Sequence, residues 1–220
     1  MSQTQRLVVV LVLNFALVAG LVAVGVTAHS LAVVAEGSDY LLDAAGVGVA
    51  LLAIRLSARP ASRAQPEGYP NATNVAALVN GGWLLVLELL VASAAMDRLI
   101  TGTPQVEGRP VLVVSTIAAL VMAAGALVLH GGVEDSEAGE LDLSVGAVLL
   151  DTIADAAAAA GVAAAGGIIL VTGGWYWLDP AVALAIAVVV AYHAVALIRK
   201  VLGRIRSAGS SGTRQRLRQK

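Results

Sequence analysis

Long apolar runs, broken by short polar connections, dominate the chain. Runs near residues 7–28, 32–57, 74–98, 110–130, 143–172 and 178–200 each approach the roughly 20 residues that cross about 30 Å of hydrocarbon. His29, Ser30 and Leu31 alone separate the first two runs, which reads as a tight hairpin. Arg59 to Pro70 (RPASRAQPEGYP) holds three prolines and reads as a loop, as does Thr101 to Pro110 (TGTPQVEGRP). Gly131 to Asp142 is a short acidic connection, and Gly173 to Pro180 (GGWYWLDP) is a turn carrying an aromatic cluster. The strands of a membrane β-barrel are about ten residues long and alternate in polarity; these runs are too long and too evenly apolar. The first run exceeds the apolar core of a secretory leader, so it reads as a span. The pattern predicts an all-α membrane protein with six transmembrane helices in one bundle over residues 1–206. A basic, flexible cytoplasmic tail is predicted over 207–220.

Composition agrees and removes whole classes of function. The 220 residues are 58% hydrophobic and 13% charged, where a soluble domain is about half apolar and about a quarter charged. A water-soluble particle of this size cannot hide that excess, which argues against a soluble enzyme and a nucleic-acid binder. With no cysteine, disulfides, thiolate nucleophiles and thiolate metal sites drop out together. Orientation follows from the basic residues. With both ends inside, Arg6, Arg55, Arg59, Arg63 and the eight bases from Arg199 to Lys220 are cytoplasmic, twelve of the fourteen. Only Arg98 and Arg109 fall outside. Both termini are therefore expected in the cytoplasm. Trp175, Tyr176 and Trp177 then sit at the outer interface, where amphipathic rings belong. The basic tail is expected to meet anionic lipid.

The charges inside the spans carry the chemistry. Glu36, Asp39, Asp43, Glu88, Asp151 and Asp155 all fall within apolar runs, with no lysine or arginine deep in any run to neutralise them. A mid-helix aspartate costs roughly 2.5–3.5 kcal/mol on insertion scales, so four cost on the order of 10–14 kcal/mol. An ionisable group in a membrane is a functional site by default. Spacing sharpens this: Asp39 and Asp43 are four apart in the second run, and Asp151 and Asp155 four apart in the fifth. Residues four apart share one helix face, so each helix stacks two carboxylates that repel unless a cation lies between them. Both runs are rich in small residues near the acids (Ala44 to Gly48, Ala156 to Gly161, Gly166 and Gly167), which let membrane helices approach closely. If the two faces meet, four carboxylates surround one point and form a cation site. Glu36 reads as a rim or outer ligand, and Glu88 as a polar contact to another helix or a proton-relay acid. Asn14 and Asn80 read as interhelical hydrogen-bond formers, and His29, His130 and His193 as structural. Asp179 and Pro180 read as a cap and turn.

At these residues the chain resembles the cation diffusion facilitator family. Ser30 to Asp43 (SLAVVAEGSDYLLD) is similar to that family's second-helix signature, and Val148 to Asp155 (VLLDTIAD) to its fifth. Gly68-Tyr69 followed by Ala76 to Asn80 (AALVN), and Asp179-Pro180 before the last run, are similar too. The resemblance covers about residues 6–202. It implies efflux of a metal ion from the cytosol by alternating access, in exchange for protons, by a homodimer in the cell membrane. It carries the transport-site ligands onto Asp39, Asp43, Asp151 and Asp155. Many zinc members have histidine first in each pair, where this chain has aspartate. Most members also carry a cytosolic domain after the sixth helix, where about 20 residues follow here, and a His-rich loop where this chain has a short acidic one.

Four carboxylates make a hard oxygen site, which suits manganese better than an imidazole site does. The family variant with aspartate in both pairs is likewise associated with manganese. Mn²⁺ is the expected substrate, with Fe²⁺ or Zn²⁺ next, since zinc also accepts carboxylate oxygens. No permanently bound cofactor is expected; the divalent cation is cargo. Two other readings stand beside this one: a proton-coupled carrier of a small organic cation, and a membrane scaffold that transports nothing.

Overall fold

The computed structural model describes residues 3–57, 71–134 and 140–218. They form six helices in chain order: α1 (Gln3–Thr27), α2 (Leu31–Ser57), α3 (Ala72–Thr101), α4 (Gly108–Glu134), α5 (Glu140–Thr172) and α6 (Leu178–Arg218). No strand occurs among the described residues. Five stretches are long and apolar enough to cross a membrane: α2, α3, Gly108–Leu127, Thr152–Thr172 and Leu178–Arg206; α1 adds the shorter Phe15–Thr27.

The helices outrun the apolar segments that predict them. The acidic connection expected over 131–142 is helical up to Glu134 and again from Glu140. Polar residues end an apolar run without ending a helix, since no proline intervenes and Glu and Leu are good helix formers. The backbone of 207–218 likewise continues α6. The expected loop over 59–70 lies outside the described residues.

Burial follows the logic of a lipid solvent. Small side chains line the interior, among them Ala32, Ala95, Ala118, Ala159 and Ala183, while Leu52, Trp83, Leu90, Leu120, Leu127 and Val171 face outward. In hydrocarbon, large apolar groups gain nothing by hiding, and helices associate through close packing and polar contacts.

The chain divides into two compact units. The first holds residues 1–38 and 91–186, the second 39–90 and 187–220; α2, α3 and α6 contribute to both. In the first, α4 and α5 pack along one another. At their closest approach Gly108 faces Gly166, and a side chain at either position would collide with backbone of the other helix. In the second, Gly46 of α2 leaves room for the amide of Asn80 on α3.

Three helix connections gather at one end of the first unit. After α1, His29 adopts a left-handed conformation (φ 59°). The N–H of His29 donates to Val26 and that of Ser30 to Gly25, a C-cap in which histidine holds the place glycine usually takes. Gly173 (φ 61°) ends α5 in the same hand, its N–H donating to Ile169. The N–H of Glu107, just before α4, donates to the Ala28 carbonyl.

Asp179 closes this end. Its carboxylate, 2% exposed, accepts from the Ser30 hydroxyl and from the N–H groups of Leu31 at 2.7 Å and Ala32 at 3.3 Å. The first N–H groups of a helix have no partner within it; here α6 supplies one to α2, and Ser30 Oγ accepts the N–H of Val33. Arg98 of α3 lies 3.6 Å from the same carboxylate and donates to the His29 carbonyl. The acid expected as a cap thus caps a different helix from its own. Asp179→Ala should cost about 2 kcal/mol or more, because it strips buried donors of their acceptor. Asp179→Asn, which keeps an acceptor oxygen, should cost less. Thermal unfolding in detergent measures both, and an unchanged midpoint for the alanine variant would show that the clasp is idle.

Candidate functional site

α2 passes the acids inward in register. Glu36, Asp39 and Asp43 sit at steps of three and four residues, so they follow one side of the helix. Glu36 is buried, and Ser115 of α4 donates to its Oε2 at 3.0 Å. The acid read as a rim or outer ligand is therefore engaged by a neighbouring helix within the first unit.

Asp39 and Asp43 belong to the second unit, with Glu88 of α3. Asp39 and Glu88 are both buried, and their carboxyl groups lie against one another. Asp43 is near enough to act on Glu88 through its charge. Asp39 Oδ1 and both oxygens of Glu88 are buried without a hydrogen-bond partner. A buried polar oxygen without a partner is costly, and two acids side by side relieve that cost by sharing a proton or by holding a cation.

Asp151 and Asp155 lie on α5 in the first unit. Asp155 is half-buried, and the side chain of Asp151 lies outside the described residues. Among the described residues, no three Asp, Glu or His side chains converge to hold an ion. Small residues assigned to an α2–α5 contact serve other neighbours at two positions, Gly46 meeting Asn80 and Gly166 meeting α4. The Asn80 amide lies against Gly46 of α2, while Asn14 and His130 have side chains outside the described residues. His29 shapes a turn, and His193 is exposed with its ring 5.8 Å from that of Tyr192.

What the sequence reading left open is the partner of Glu88. Its place in an apolar run marks it as unusual, but the position of Asp39 against it depends on how α2 and α3 are rotated, which the apolar pattern does not encode.

Long apolar helices with large side chains turned outward and carboxylates sunk within the spans define an integral, multi-pass helical membrane protein. The chain matches the cation efflux transmembrane domain over residues 7–205, and it belongs to that family. It is similar to the zinc transporter ZitB of Escherichia coli (strain K12), 31% identical over 175 residues, which covers 80% of this chain and 54% of that protein. It is 26% identical over 185 residues to the cadmium, cobalt and zinc/H(+)-K(+) antiporter of Bacillus subtilis (strain 168), covering 82% and 58%. To the human proton-coupled zinc antiporter SLC30A2 it is 27% identical over 188 residues, covering 83% and 50%. The chain spans about half the length of these relatives.

Proposed function

We propose that this protein exports a divalent transition-metal cation from the cytosol in exchange for protons, through Asp39 and Asp43 of α2 and Asp151 and Asp155 of α5. The observation that carries this reading is the pair of aspartates at i and i+4 in each of two spans, within a chain that matches the cation efflux domain along nearly all its length. Relatives named as zinc transporters and as antiporters of zinc or of cadmium, cobalt and zinc support the substrate class and the exchange. Within that class, four carboxylates favour Mn²⁺ over Zn²⁺ and Fe²⁺, because hard oxygen donors suit manganese while zinc gains more from imidazole. The functional unit is a homodimer in the cell membrane.

Flux into liposomes holding the purified protein, measured across a panel of Mn²⁺, Fe²⁺, Zn²⁺, Co²⁺ and Cd²⁺, tests the reading. Mn²⁺ should move fastest. Flux of an organic amine with none for any metal would replace metal export with the organic-cation carrier, and no flux at all would leave a scaffold.

Export also requires an orientation, for which the bias of basic residues argues. The native chain has no cysteine, so single cysteines report cleanly. One at Gly174 should react with an impermeant thiol reagent added to intact cells, and one at Ser210 should not. The opposite result would invert the topology.

A further inference from the structure

Glu88 is the buried acid that the four-aspartate reading does not use. It sits on α3, is 1% exposed, and holds its carboxyl against that of Asp39 on α2. Asp39 and Glu88 together have four carboxyl oxygens, and three of them are buried with no hydrogen-bond partner. Glu36, by contrast, accepts from the Ser115 hydroxyl, while Glu88 meets another acid. No base stands ready to neutralise the pair along these helices: α2 has no lysine or arginine before Arg55, and α3 none before Arg98. Two facing carboxyl groups can share a proton while the place is empty, and once ionised their oxygens are the donors a hard cation takes.

We propose that Glu88 is a ligand of the transported cation, contributed by α3 beside Asp39, and that its extra oxygen donors favour an ion that takes more than four ligands. This rests on Asp39 and Asp43 being cation ligands. Mn²⁺ accepts an octahedral set of oxygens, whereas Zn²⁺ in protein sites is most often four-coordinate. A carboxylate beyond the four aspartates therefore helps manganese more than zinc.

The test is equilibrium binding of Mn²⁺ alone and of Zn²⁺ alone to the purified full chain in detergent, by calorimetry and by the paramagnetic resonance signal of free Mn²⁺. Glu88→Gln keeps the shape and removes the charge. It should weaken Mn²⁺ by about tenfold or more and Zn²⁺ by much less, lowering the Mn²⁺ to Zn²⁺ affinity ratio. Glu88→Leu gives a second readout. Without metal it should melt at or above the wild-type temperature, since an unsatisfied buried acid is gone, and the upward shift that Mn²⁺ gives the wild type should shrink.

An unchanged affinity ratio in Glu88→Gln, whether both ions bind as before or both weaken equally, overturns the proposal. So does a lowered melting temperature of metal-free Glu88→Leu, which would make Glu88 a structural contact. Asp39→Asn and Asp43→Asn separate this failure from that of the underlying site. If they lose both ions while Glu88→Gln binds normally, the aspartate site stands without Glu88. If they too bind as wild type, the aspartate site itself is wrong.

Discussion

Asp39→Ala, Asp43→Ala, Asp151→Ala and Asp155→Ala should each abolish metal flux while leaving the protein folded. In the proposed site each change removes one ligand of an ion that would have few. The metal-free protein should not suffer. Each variant deletes one member of a like-charged pair stacked at i and i+4, an arrangement that is unfavourable without a cation between. For Asp39 the structure adds a reason: its carboxyl is buried against the acid Glu88, so deleting it relieves a crowding of buried acids. The expected signature is therefore a split, with flux near background and an unfolding temperature equal to or above that of the wild type. Liposome flux and thermal unfolding in detergent, measured on the same preparations, provide both halves. Normal flux in any two of the four variants would remove the assignment.

Proton exchange should set the direction of transport. Four ionised aspartates carry four negative charges and a divalent ion cancels two, so a site that only gained and lost metal would swing widely in charge inside a low-dielectric medium. Coordinating carboxylates must be ionised, and a site that binds metal where it held protons releases those protons as the ion enters. The acids interact, so they titrate as a group and no single residue owns the step. The sign follows from mass action: higher pH on one face favours metal loading there, and lower pH favours release. An inward proton gradient then drives metal out of the cytosol. In vesicles holding a pH-sensitive dye, external Mn²⁺ should move protons outward as metal enters. An imposed gradient should accelerate or reverse metal flux according to its sign. Flux indifferent to both the gradient and a protonophore would leave a uniporter.

Glu88 and Asp179 mark where reading along the chain stops being enough. By itself the sequence determined that the protein lies in a membrane, that it is built of about six helices, and that two of them carry paired acids. Those properties are local: hydropathy over some 20 residues decides whether a segment inserts, and a spacing of four places two side chains on one face whatever surrounds the helix. The helix limits shifted only where polar ends continued the backbone pattern, as at Glu134 and Glu140. Tertiary structure decided which distant groups meet. It set Glu88 against Asp39, gave Glu36 a donor from Ser115, turned Asp179 from its own helix to the start of α2, and gave Gly46 and Gly166 to Asn80 and to α4. In a soluble helix a polar stripe and an apolar stripe reveal which face turns inward. A span in lipid is apolar on both faces, so its rotation and register are chosen by small residues and a few polar contacts, and those exist only once the helices have packed.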